Sequence, residues 1–186
     1  MAFTPTTFPG LIIVEPVILE DNRGYFFEAY NENIYRNNHI HVVFVQDNQS
    51  RSSYGVVRGL HYQRPPFAQC KLIRVLHGAI LDIVLDLRTG SPTFGETFSI
   101  ELSADNKKQL FIPGGFAHGF SVISETAEVL YKCDTYYNRE SESGILYKDP
   151  QLKIDWKIPE DKVRVSDKDK LLPLFNSYAG DFAFIQ

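Results

Sequence analysis

Short apolar stretches follow one another along most of this chain, each closed by a cluster of turn-forming residues. Residues 11–14, 25–30 and 42–48 read as strands, as do 56–63, 70–76 and 79–87. Residues 94–102, 109–112, 117–122 and 127–137 continue the series. His77-Gly78, Gly90-Ser91-Pro92, Ala104-Asp105-Asn106, Pro113-Gly114-Gly115 and Ser124-Glu125-Thr126 punctuate it. Asn31 is placed to cap a short helix through about Asn37, with Ile34 as its buried position. The tail predicts one helical turn at 138–142, a short strand at 153–157, and a helix capped by Ser166. From about Asn176 a loosely held extension is expected. Many short strands with little helix predict an all-β fold, an antiparallel sandwich or barrel.

The stretch from Gly55 to Lys71 concentrates chemistry. Pro65-Pro66 cannot lie inside a central ladder, because neither proline offers an N–H. A loop between two neighbouring strands is therefore expected there, with His61 and Lys71 on its two sides. Arg58 and His61 are an odd number of positions apart, so a regular strand would send them to opposite faces. A bulge at Gly59 would bring both to one pocket.

Composition narrows the function. The 186 residues suit one domain with its own core, residues 1–186. A net charge of -4 argues against nucleic acid or an anionic membrane as partner. Cys70 and Cys133 have neither metal-type spacing nor a disulfide framework. No apolar run approaches a membrane span, and the first residues do not read as a signal peptide, so a cytoplasmic location is expected.

Two half-motifs, residues 55–61 and 113–118, resemble those of metal-binding cupins. Where a metal cupin would place its second histidine stands Gln63, and no acidic residue follows at the usual spacing. Two histidines and a glutamine make a poor transition-metal site, so a cupin scaffold without metal is expected. His61 is the best base, able to take a carbon-bound proton that a neighbouring ketone has acidified. Lys71 could hold the enolate oxygen. Asp167 or Asp169 could orient the imidazole. Tyr131 could supply a proton, although one of ten tyrosines is more often core than catalyst. Asp82, among aliphatics, needs a partner, for which His118 is available. Arg23 and Glu28 read as a solvated face.

Longer blocks carry a family resemblance: Asp-Asn-Arg-Gly-Tyr-Phe-Phe-Glu from Asp21, Gln-Asp-Asn-Gln-Ser from Gln46, and Gly-Val-Val-Arg-Gly-Leu-His-Tyr-Gln from Gly55. Asp-Leu-Arg-Thr-Gly-Ser-Pro-Thr-Phe-Gly from Asp86, Ile-Pro-Gly-Gly-Phe-Ala-His-Gly-Phe from Ile112 and Ser-Asp-Lys-Asp from Ser166 extend it. Over about residues 9–175 the chain resembles the dTDP-4-dehydrorhamnose 3,5-epimerases. The resemblance implies a jelly-roll cupin fold and a homodimer, with the early segment reaching the partner's site and no metal or organic cofactor. It implies proton abstraction at C3 and C5 of dTDP-4-dehydro-6-deoxy-D-glucose by His61, paired with Asp169 rather than Asp167. Lys71 would lie near the C4 oxygen and Tyr131 would be the proton donor. Arg23, Glu28, Gln46, Asn48, Arg58, His118, Glu142 and Lys168 would touch substrate, Arg23 and Glu28 against their reading as solvated. Tyr147-Lys148 departs from the family's usual Trp-Asn before Asp-Pro. A single-carbon epimerase, a silent sugar-binding cupin and a metal cupin oxygenase are the alternatives.

Overall fold

A computed structural model describes residues 1–185. Strands β1 (Ala2–Pro5), β2 (Ile12–Glu15), β3 (Leu19–Asp21) and β4 (Gly24–Phe26) precede helix α1 (Glu32–Asn37). The body follows as β5 (Gln46–Ser53), β6 (Val57–Gln63), β7 (Lys71–His77), β8 (Ala79–Asp86) and β9 (Arg88–Thr89). Then come β10 (Thr97–Ser103), β11 (Gln109–Ile112), β12 (Phe116–Val122), β13 (Thr126–Cys133) and β14 (Glu142–Gly144). Helix α2 (Asp167–Lys170) and β15 (Phe182–Ala183) close the chain.

Two antiparallel sheets face each other, in the order β1-β2-β11-β7-β13-β5 and β10-β8-β12-β6-β14. This is the predicted all-β sandwich of jelly-roll type. Ile73, Val75, Ile80, Val84, Phe120 and Val129 belong to the core that fills it. The sheets are apolar on their outer faces as well. The outer face of the five-stranded sheet, with Leu60, Tyr62, Ile83 and Leu85, is covered by Trp156, Phe175 and neighbours from the tail. The outer face of the six-stranded sheet meets Tyr35 and Ile40, with Val42 and Phe44 alongside. That double burial explains why β8 reads as one continuous apolar run broken only by acids.

Several local expectations shift. Val42 and Phe44 pack over the outer face while Val43 and Val45 are exposed, and the strand begins at Gln46 and runs on to Ser53. Only Tyr25 and Phe26 of the 25–30 segment pair, in an exposed hairpin with β3. Asn31 caps α1 as predicted, but Tyr35 is the buried position and Ile34 is not. No strand forms at 153–157, where Lys153 and Lys157 take positive φ of 49° and 56°. Residues 138–142 make a turn leading into β14 rather than a helical turn. Strands β6 and β7 lie in opposite sheets, so the Pro65-Pro66 loop crosses the sandwich instead of joining neighbours. The stretch from Asn176 carries β15, which pairs in parallel with β9.

The bulge predicted at Gly59 is present. Opposite β12, His61 pairs with His118 and Arg58 with Phe120, so two residues of β6 face one of β12. Val57, Leu60 and Tyr62 consequently point outward, while Arg58 and His61 both border the interior. Gly59 has φ of +110°, and a Cβ there would lie 2.7 Å from both Gly119 Cα and His118 O. Gly59→Ala should therefore lower stability by at least ~1–3 kcal/mol, from backbone strain alone. An unchanged urea midpoint would show that the bulge tolerates a side chain.

Candidate active site

Alternation along the strands builds a polar chamber at one end of the sandwich. On β13 the inward positions are Ala127, Val129, Tyr131 and Cys133, apolar core first and chamber second. On β7, Lys71 precedes Ile73 and Val75 at the same end. Asn48 and Ser50 enter from β5, His61 and Gln63 from β6, and His118 from β12. The cavity measures about 280 Å³. Lys71 and Tyr131 project from the six-stranded sheet, His61 and His118 from the five-stranded one, so the two sets face each other across the space.

His61 is held from behind. Its Nε2 lies 2.8 Å from Asp169 Oδ1, while Asp169 Oδ2 accepts the Gly59 N–H at 3.1 Å. Ser166 caps α2 through the Asp169 N–H, which fixes where the acid stands. Burial would raise the Asp169 carboxyl, but the hydrogen bonds and charge of His61, with Gly59 and Ser166, outweigh it and hold its pKa below the usual range. An ionised Asp169 accepts from Nε2–H, leaving the Nδ1 lone pair as the imidazole's basic site. Asp169, not Asp167, is the partner; Asp167 pairs with Lys170 on the surface.

Burial pulls the Lys71 ammonium down, against the opposing pull of Cys133, Asp82 and Glu142. The Tyr131 phenol is pushed up to about 12, chiefly by burial, with a Ser50 hydrogen bond and the Arg58 charge acting against it. It is therefore a protonated acid at neutral pH. His118 Nε2 meets Asp82 Oδ2 at 2.8 Å, the pairing expected from sequence. Burial raises the Asp82 carboxyl despite His118 and Lys71.

At the rim, Arg58 Nε donates to Ser52 at 3.1 Å. Glu142 accepts from Tyr137 OH at 2.7 Å and pairs with Lys168 at 2.6 Å. Burial would raise the Glu142 carboxyl, but these two partners prevail and lower it. Gln46 sits beside them, donating to Asn48 and accepting the Tyr137 N–H. Arg23 and Glu28 are elsewhere in the single chain. Arg23 is clamped to Asp21 in the exposed hairpin, and Glu28 accepts from Asn31. Gln63 is engaged by backbone groups of Phe67, Tyr136 and Asn138. Among the described residues no three His, Cys, Asp or Glu side chains stand together as metal ligands. Sequence reading missed Ser50, Ser52 and Tyr137. A strand carried past Asn48 would have found both serines by alternation; nothing near Tyr137 distinguishes it from other tyrosines.

Comparison with known proteins identifies the family. The family model described as dTDP-4-dehydrorhamnose 3,5-epimerase matches residues 5–177. The dTDP-4-dehydrorhamnose 3,5-epimerase of Pseudomonas aeruginosa is 49% identical over 171 residues, 91% of this chain and 93% of the relative. The crystal structure of the enzyme of that name from Elizabethkingia anophelis superposes with a TM-score of 0.90 at 49% identity, covering 95% of this chain and 97% of the other. The dTDP-6-deoxy-D-glucose-3,5-epimerase of Legionella pneumophila, solved in complex with dTDP-4-keto-L-rhamnose, gives a TM-score of 0.93 at 46% identity, covering 100% and 98%. The chain belongs to the dTDP-4-dehydrorhamnose 3,5-epimerase family.

Proposed function

We propose that this isomerase inverts C3 and C5 of dTDP-4-dehydro-6-deoxy-D-glucose by proton transfer next to the C4 ketone, giving dTDP-4-dehydro-L-rhamnose. The observation that carries the reading is a base and an acid on opposed sheets with a cation beside them. His61, oriented by Asp169, takes the C–H proton on Nδ1. The electron pair moves onto the C4 oxygen, where Lys71 stabilises the enolate in a site already organised for charge. Tyr131 returns a proton from the other side, which inverts the centre. His61 then loses its proton to solvent and the phenolate regains one.

A cavity of about 280 Å³ suits a hexose ring and leaves the nucleotide to extend over the rim. There Arg58 and Lys168 offer charge to the diphosphate, with Gln46, Asn48, His118 and Glu142 as polar contacts. A second copy completes the site in this reading. The segment carrying Arg23 and Glu28 leaves Val17, Leu19 and Phe26 61%, 62% and 69% exposed, an apolar surface fit for a homodimer contact. Among the described residues no helix is long and apolar enough to cross a membrane. Both cysteines are free, and with a nucleotide-sugar substrate this favours the cytoplasm.

His61→Ala should abolish deuterium incorporation from solvent at both carbons, read by NMR of the product; exchange persisting at the wild-type rate would remove His61 as base. Tyr131→Phe should retain exchange while losing inversion by about 10²-fold or more, the scale of one acid–base contribution. Equal loss of both would count against a donor-only role. Mixing His61→Ala and Arg23→Ala protomers should restore activity to about a quarter of the sites, because each mixed dimer would hold one intact pair. No complementation in mixed dimers, shown to have formed, would place Arg23 outside the partner's site.

A further inference from the structure

We propose that Ser50 is the positioning residue of the proton donor, holding the Tyr131 hydroxyl on line with the cavity and stabilising the phenolate left when its proton has gone. This rests on Tyr131 being that donor. Strands β5 and β13 pair with Tyr131 opposite Asn48. Ser50 lies two positions further along the same face, a diagonal neighbour within reach of a long aromatic side chain. Its Oγ is 3.0 Å from the Tyr131 oxygen, and both residues line the cavity.

A serine hydroxyl suits both halves of the step. It rotates freely and carries one donor and two acceptor positions. While Tyr131 aims its hydrogen at the sugar carbon, Ser50 can donate to a phenol lone pair. Once the proton has moved, the same bond is made to an oxyanion and becomes charge-assisted, roughly twice as strong as a neutral one. An interaction that grows along the reaction lowers the barrier, whereas one of constant strength would not. Few other groups can do this here. Arg58 on β6 faces Tyr131 with a favourable charge, while Asp82 on β8 and Cys133 on β13 oppose the phenolate. Lys71 on β7 shares the cavity, and the His118 ring on β12 lies 6.2 Å from the Tyr131 ring. Arg58 is engaged with Ser52 through Nε. Ser50 is thus the only hydrogen-bond partner of the phenol oxygen among the described residues.

The test is Ser50→Ala, with Ser50→Thr as the variant that keeps the hydroxyl. Ser50→Ala should lower inversion about 10-fold, with solvent exchange at C3 and C5 falling less than twofold. Ser50→Thr should restore both. A double-mutant cycle separates this proposal from the donor assignment. In a Tyr131→Phe background Ser50→Ala should cost nothing further. If it costs as much there as in wild type, Ser50 does not act through Tyr131 and the proposal fails while the donor stands. If Tyr131→Phe itself leaves inversion intact, the donor assignment fails first. Parallel loss of exchange and inversion in Ser50→Ala, or no loss of either, also overturns the proposal.

Discussion

The carboxylate of Asp169 joins the shape of a strand to the orientation of a side chain. One oxygen accepts the N–H of Gly59, the residue at which β6 bulges, and the other meets His61 two positions later. Without the bulge, alternation would turn His61 onto the outer face, into the apolar layer that holds Leu60 and Tyr62. Without the acid, a backbone N–H beside the bulge would lose its partner, at a cost of ~1–3 kcal/mol if buried. The same group therefore satisfies the distortion and orients the imidazole that the distortion turns inward. It arrives from far along the chain, on a four-residue helix whose start is fixed by Ser166. Fold and site meet at that contact, and a change there acts on both.

The interior of the sandwich divides by polarity along its strands. One end is closed by aliphatic and aromatic packing. The other collects a lysine, two histidines and a tyrosine that would be costly to bury singly. The cost is limited by pairing: His61 with Asp169, His118 with Asp82, Tyr131 with Ser50. Lys71 has no such direct partner among the described residues, and its pKa is pulled down by burial. An ammonium poorly compensated in the free protein gains most when an oxyanion forms beside it. In the proposed mechanism, part of the stability given up to bury Lys71 would be recovered when the C4 oxygen becomes negative. The apolar layers on both outer faces sustain this arrangement, since the sheets do not depend on the chamber end for their core.

Much of this was legible in the sequence, for identifiable reasons. The strands of the body were readable because turn residues punctuate them, and the Gly59 bulge because one parity mismatch between Arg58 and His61 required it. The His118–Asp82 pair followed from the cost of burying an acid among aliphatics. Elements at the ends were harder. Residues 42–45 and 153–157 each set alternate side chains, Val42 and Phe44, Ile154 and Trp156, against a sheet, and a covering segment can show the same alternation as a strand without its hydrogen bonds. Tyr35 and Ile34 are adjacent apolar positions on a helix too short for periodicity to choose between them. The crossing of the Pro65-Pro66 loop from one sheet to the other was invisible because local signals mark a break and do not say where the chain goes next. By residue type alone Asp169 and Asp167 were equivalent and only the family resemblance chose between them; in the structure Asp169, whose N–H meets the Ser166 cap, faces His61, and Asp167 pairs with Lys170.

That crossing has a chemical consequence. A hairpin within one sheet would have set His61 and Lys71 on the same wall, reaching the sugar from one side. Crossing the sandwich places Lys71 on the wall that also carries Tyr131, opposite His61. In the proposed mechanism the cation then shares a side with the acid, so the enolate oxygen and the incoming proton would be drawn toward the same wall while the departing proton would leave toward the other. A phenol whose pKa is near 12 is a weak acid, and it gives up its proton to a carbanion more readily when a neighbouring ammonium and a hydroxyl stabilise the resulting charge. On that mechanism opposed walls would separate removal from delivery, which is the geometric requirement for inversion, and one short loop between sheets sets those walls.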